Sequence, residues 1–142
     1  MVSKHPGLIV MGGAEDKVDG CTHFLSDKDT FDLFGGKVKM TCYVTPCHTR
    51  GSTNFYLETD AQGEHECSYH GQYKIIKNVN KGIFTGDMAF IGGCGYFMEG
   101  TPAEMLDCMD LMLSLPEDTK LFPGHEYTLN NFKFIQKIHD KS

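Results

Sequence analysis

Three short stretches of the chain repeat one local design. Each is an apolar run of strand length that ends in a tight Gly- or Pro-containing turn holding a metal-ligand type of side chain. They are YVTPCHTRGS with His48, IFTGDMAF with Asp87 and KLFPGHEYT with His125, at nearly equal intervals. Strand ends on one edge of a sheet are close in space although far apart in sequence. Two imidazoles and a carboxylate brought together there make a site of borderline hardness, suited to zinc or iron. Taken singly, each residue has a plainer reading: a histidine that is solvated or hydrogen-bonded in its turn, and a Gly-Asp that merely reverses the chain. Repetition of the same strand-to-turn context is what favours the metal reading.

Other candidates carry less. His65, Cys67 and His70 in HECSYH could hold a metal, but a polar hairpin is the plainer account. Cys47 beside His48 has the composition of a nucleophilic Cys/His pair. Neighbouring side chains of an extended segment point to opposite faces, however, which argues against it. Cys94, among glycines, reads as a packed thiol rather than a reactive one.

The elements that must position these residues are legible from periodicity. Strands are expected over residues 7–13, 37–44, 53–59, 81–87 and 119–125, with 74–77 as a further strand inside a polar segment from Asp60 to Asn80. That segment reads as an insertion, an excursion from the core in the form of a long hairpin. One helix opens at Thr101 as N-cap, with Pro102 at the first helical position and Glu104 completing a capping box. Met105, Leu106, Met109, Met112 and Leu113 form its apolar face, read as core packing, and Pro116 ends it. A second helix is expected over 129–141, with Phe132, Ile135 and Ile138 toward the core. Strands mixed with two helices imply one layered α/β or α+β domain over residues 1–142. Two helices are few for that much sheet, so part of the sheet is expected to need cover from a second chain.

Composition sets the outer limits. The 142 residues are 40% hydrophobic and 23% charged, enough for a globular core. The formal net charge of −6 gives no electrostatic grip on nucleic acid or an anionic membrane. No apolar run approaches a membrane span, and the first residues lack the apolar core of a secretion signal. Six cysteines without a CxxC pair read as free thiols in a reducing compartment, so a cytoplasmic location is expected.

TPCHTRGS, FTGDMAFIGGCGYFMEGTPAEM and LFPGHEYTLNNFKF together resemble the hydroxyacylglutathione hydrolases (glyoxalase II) of the metallo-β-lactamase superfamily. The resemblance runs from about Gly7 to the end, broken by the Asp60–Asn80 segment. It implies an α/β fold of the αββα type, here a partial sandwich with a mixed sheet and two clear helices. It also implies metal-dependent hydrolysis of S-(2-hydroxyacyl)glutathione thioesters to glutathione and a 2-hydroxy acid. By resemblance, His48 is a ligand of one metal, Asp87 is the carboxylate that bridges two and has the catalytic role, and His125 is a ligand of the second. Tyr127 matches the tyrosine that holds the glutathione moiety. The metal implied is zinc, with iron and manganese as alternatives.

The sequence also departs from the family. The signature THxHxDH, source of further metal ligands, is absent from these residues, and no HxH occurs. The glycine-flanked basic residue that binds glutathione is Tyr96 here, the nearby aromatic is Met98, and the second histidine of PCHTxGH is Ser52. Weak glutathione binding is therefore expected. Beside the hydrolase stand a truncated or degenerate member, metal-free and acting as a binding or structural protein, and a homodimer in which two copies rebuild the sandwich.

Overall fold

A computed structural model describes residues 4–61, 64–69, 72–77 and 79–140, the strands 64–69 and 72–77 by their backbone pairing alone. Nine strands and two α-helices are described: β1 (Met11–Gly13), β2 (His23–Leu25), β3 (Thr30–Leu33), β4 (Val38–Val44), β5 (Thr53–Glu58), β6 (Glu64–Tyr69), β7 (Gln72–Lys77), β8 (Lys81–Gly86), α1 (Pro102–Ser114), β9 (Lys120–Pro123) and α2 (Thr128–His139). The central sheet has the order β3-β4-β5-β8-β9. Its first three pairings are antiparallel, while β8 and β9 run parallel, joined by a crossover that contains α1. The short β1 and β2 form a separate parallel pair. The expected long hairpin forms its own two-stranded sheet, β6 with β7. The side chains of His65, Cys67 and His70 lie outside the described residues.

Alternation within each strand decides which face is buried. Phe31 and Leu33, Met40 and Cys42, and Phe55 and Leu57 share one face. They pack with Leu25 and Met11, so the short β1–β2 pair covers that end of the face. The same face continues onto Phe84 of β8 and Phe122 of β9, which are directly paired. Their rings stack at 4.8 Å and remain 45% and 42% exposed. The expected gap in the cover of the sheet is therefore real among the described residues.

The opposite face buries Tyr56, Ile83 and Thr85. At its loop end α1 packs Met105 and Cys108 against Cys47, Met88 and Ala89, with Met109 and Met112 alongside. Leu106 and Leu113 were expected in this core but are 62% and 82% exposed. The buried stripe of the helix is narrower than its apolar stripe, and Cys108 holds the central position. The expectation for α2 also needs correction. Phe132, Ile135 and Ile138 are exposed, and α2 has no buried residue. The strand expected over 7–13 shortens to Met11–Gly13. No helix among the described residues is long and apolar enough to cross a membrane.

The start of α1 forms as the sequence predicts. The Thr101 hydroxyl accepts from the Glu104 amide, and the Glu104 carboxylate accepts from the Thr101 amide at 2.8 Å. Glu104 also takes the Arg50 guanidinium at 2.7 Å. The hydrogen bond from Arg50, followed by those from Thr101, holds the Glu104 carboxyl at about 2, well below its ordinary 4.5. One carboxylate thus serves both the helix cap and the loop after β4.

Thr101→Ala should cost about 1 kcal/mol, read from the denaturation midpoint. Met105→Ala should cost about 2–5 kcal/mol, and Leu106→Ser should stay within about 0.5 kcal/mol of neutral. The depressed Glu104 carboxyl stabilises the fold above its unfolded value near 4.5. That contribution is lost as pH falls toward 2. Glu104→Gln should accordingly flatten the dependence of stability on pH across that window. An acid limb unchanged in the variant would show that Glu104 plays no such part.

Candidate metal centre

The three sequence-predicted ligands come from three different strand ends. His48 sits in the loop after β4. There the Thr45 amide donates to the Ser52 carbonyl at 2.8 Å, and the Thr49 and Ser52 hydroxyls meet at 2.8 Å. The Asp16 carboxylate fixes this loop from outside, taking the Thr49 hydroxyl at 2.9 Å and the Gly51 amide at 2.8 Å. Asp87 follows Gly86, whose φ of +52° suits a residue without Cβ. A register slip between Phe84 and Gly86 marks the spot where β8 leaves β9. His125 follows β9 through Gly124, whose amide donates to the Gly86 carbonyl at 2.8 Å. A Cβ on Gly124 would stand 2.8 Å from Asp87 Oδ1, and a Cβ on Gly95 would collide with the Asp87 carbonyl. The glycines around the site are therefore there for close backbone approach.

These constraints place the Asp87 carboxylate between two imidazoles. Oδ2 lies 3.2 Å from His48 Nε2, and Oδ1 lies 3.3 Å from His125 Nε2. His48 Nδ1 lies 3.0 Å from the Tyr96 carbonyl oxygen. A carbonyl can only accept, so Nδ1 carries the hydrogen. In the neutral ring Nε2 then turns a lone pair toward a carboxylate oxygen. That contact is repulsive unless a cation, either a proton or a metal ion, stands between the two atoms.

The spacing fits a metal. Two donors about 2.0–2.1 Å from one tetrahedral zinc stand roughly 3.3 Å apart. Both Asp87–histidine pairs have that spacing, and nitrogen with carboxylate oxygen is a zinc-type donor set. The number of donors falls short. Among the described residues no three of the usual ligand types converge as one metal-holding group. Each histidine shares the carboxylate with the other, and each pair offers two donors where a catalytic zinc takes three from protein.

Aromatic rings brace the far side of the centre. His125 stacks on Tyr127 with centroids 4.6 Å apart and planes 1° from parallel, and Phe90 stands edge-on to both. His48, Asp87, His125 and Tyr127, the four predicted site residues, all line one cavity of about 570 Å³. Cys94 also lines it and is exposed, contrary to the packed thiol expected from its glycine setting. Cys47, by contrast, is fully buried in the core beneath the loop. Burial first, then the Glu104 charge, pushes its thiol up, so it stays protonated and is no nucleophile. All five described cysteines are free.

Sequence reasoning missed Asp16, the Tyr96 carbonyl and Arg50. Asp16 acts on a loop more than thirty residues away, and a backbone carbonyl has no signature in side-chain patterns. Arg50 did have a signal, since it stands in the same motif as His48. Its amide donates to Glu99 at 2.7 Å, and its guanidinium reaches the Glu99 carbonyl at 3.1 Å as well as Glu104.

No family model matches the chain. Individual relatives do. The cytoplasmic hydroxyacylglutathione hydrolase of Arabidopsis thaliana is 36% identical over 134 residues, covering 94% of this chain and 45% of that protein. The hydroxyacylglutathione hydrolase of Synechocystis sp. is 38% identical over 140 residues, 97% of this chain and 48% of that one. A metallo-beta-lactamase crystal structure from Staphylococcus aureus is similar in fold, with a TM-score of 0.53 and 26% identity. That likeness covers 72% of this chain and 27% of the other. The chain spans less than half the length of these curated relatives. Over nearly all of its 142 residues it is similar in sequence to hydroxyacylglutathione hydrolases, and its fold is similar to that of a metallo-β-lactamase.

Proposed function

We propose that this chain contributes a metal-dependent thioester-hydrolase centre, with His48, Asp87 and His125 as metal ligands and zinc as the ion. The reading is carried by the Asp87 carboxylate held between two Nε2 atoms at 3.2 and 3.3 Å, one of them tautomer-locked by the Tyr96 carbonyl. Iron or manganese would suit the same donors. The substrates are thioesters of the class named for the relatives, S-(2-hydroxyacyl)glutathione, bound weakly and hydrolysed to glutathione and a 2-hydroxy acid. Bound zinc supplies Lewis-acid polarisation and an activated water.

The chain's own residues do the positioning. The Tyr96 carbonyl orients His48, in the manner of outer partners that fix a ligand's tautomer. Tyr127 keeps the His125 ring in plane by stacking and presents its phenol to the substrate. Phe90 closes one wall of the cavity. Gly95 and Gly124 keep backbone against backbone, which leaves the Asp87 carboxylate little room to turn. A cytoplasmic location accords with five free thiols and with the name of the Arabidopsis relative.

The uncovered Phe84–Phe122 face favours a second reading, in which two copies pair through that face and work as an assembly. In this reading the chain alone is an inactive binding or structural protein. An apolar sheet face of this kind is stable in water when a partner removes it from solvent.

Native mass spectrometry should find bound zinc in the purified protein, and His48→Ala or Asp87→Ala should reduce it at least ten-fold. Hydrolysis of S-lactoylglutathione should fall with the metal. Zinc retained by both variants would remove the proposed ligands from the account. The same spectra report the oligomer, and Phe84→Lys with Phe122→Lys should dissociate a dimer built on that face. A monomeric parent protein would end the second reading.

A further inference from the structure

His48 has an anchored neighbour on each side. Cys47 is fully buried, and its carbonyl accepts from the Glu99 amide at 3.2 Å. Thr49 is held through two side-chain hydroxyls. Its amide donates to Ser52 Oγ at 3.1 Å, and its own hydroxyl lies 2.8 Å from that oxygen and 2.9 Å from Asp16 Oδ2. An ionised carboxylate only accepts, so the Thr49 hydroxyl donates to Asp16 and the Ser52 hydroxyl donates to Thr49. Every hydrogen in this chain is thereby assigned, and the chain ends on a charge, where such bonds are strongest. Ser52 is one of the positions at which the sequence departs from PCHTxGH.

The Thr49 amide belongs to the peptide plane that follows His48. Fixing that rigid plane fixes ψ of His48, and with it the direction in which the side chain leaves the backbone. Asp16 holds the next part of the loop as well, taking the Gly51 amide on Oδ1 at 2.8 Å. Main chain lies on main chain at this joint. A Cβ on Gly51 would stand 2.5 Å from the Asp16 amide nitrogen, and one on Gly13 would run into the Gly51 carbonyl. Asp16 itself ends the short helical turn Ala14–Asp16 after β1 and is exposed, so replacing it opens no cavity in the core. His125 has different support, since its loop is tied to Gly86 through the Gly124 amide.

We propose that Asp16 is a positioning residue of the centre: through the Thr49 and Ser52 hydroxyls it fixes the peptide plane after His48, and so aims that imidazole and not the one of His125. The proposal rests on the metal reading only for what the aimed ring then binds. It makes the turn after β1 part of the support of one half of the centre.

The test follows the imidazole resonances of the metal-free protein by NMR. His48 Nδ1–H, bonded to the Tyr96 carbonyl, should give a resolved proton resonance. Asp16→Ala should abolish it by opening it to solvent exchange, while the carbon-bound ring protons of His125 shift far less than those of His48. Asp16→Asn keeps an acceptor for the Gly51 amide, and the Thr49 hydroxyl can turn to accept from its amide, so this variant should restore the resonance. Thr49→Val, matched in shape, should lose the resonance and Thr49→Ser should keep it, which carries the test if Asp16→Ala fails to fold. Zinc affinity, read by competition with a chelator, should fall roughly ten-fold in Asp16→Ala and recover in Asp16→Asn. A His48 resonance absent from the parent, or unchanged in Asp16→Ala and Thr49→Val, overturns the proposal. Disturbance of His125 as large as that of His48 does so too, as the mark of a general loss of structure. Zinc bound by none of the proteins, with the His48 changes as described, would sink the metal reading and leave the positioning role standing. Zinc bound equally by the parent and Asp16→Ala, with His48 undisturbed, would do the reverse.

Discussion

One carboxylate with an imidazole on each of its oxygens is the constraint around which the rest of the structure is arranged. Asp87 faces His48 and His125 at nearly the same distance, and a charged group so placed needs both partners fixed. The fixing is done by backbone. Gly95 donates to the Asp87 carbonyl at 2.9 Å, and Gly124 donates to that of Gly86 at 2.8 Å. The central strands β5, β8 and β9 bring the loops to one edge, and α1 locks the His48 loop through Arg50 and Glu104. Helix cap, loop and centre are in this sense one connected network, and its members act on one another through rigid contacts rather than along a single line.

The hydrophobic layer beneath this edge has an unequal character. On the α1 side Met88, Met105 and Cys47 are almost completely removed from solvent. On the other side the cover stops with Leu25 and Met11, and the stacked Phe84 and Phe122 remain open. Burial on the first side supplies the driving force for the sheet to form. The second side is finished surface only over β3, β4 and β5.

Much of the fold was legible because its strongest elements obey simple periods. KVKMTCYV alternates cleanly, and β4 follows it. The Thr101–Glu104 box with Pro102 is a local signal, and α1 begins there. The meeting of His48, Asp87 and His125 was legible too, since they repeat one strand-to-turn context. Periodicity reports that a helix is amphipathic, however, and not what covers it. The apolar stripe of α2 was therefore read as core, although Phe132, Ile135 and Ile138 stay exposed. Strands of three or four residues, such as β1, β2 and β3, are too short to show a period. Asp16 and the Tyr96 carbonyl act through tertiary contact alone, which no window of sequence contains.

The glycines have a consequence for how such a chain can vary. Cβ atoms on Gly13, Gly95 and Gly100 would run into the backbone of Gly51, Asp87 and Cys47 respectively. These are joints where main chain lies on main chain, so they admit no side chain whatever chemistry the site performs. Tyr96 and Met98, one and three positions beyond Gly95, are exposed and free to change. Substitution should therefore follow two clocks: the hinges of the scaffold are frozen by volume, while exposed positions beside them are free to drift.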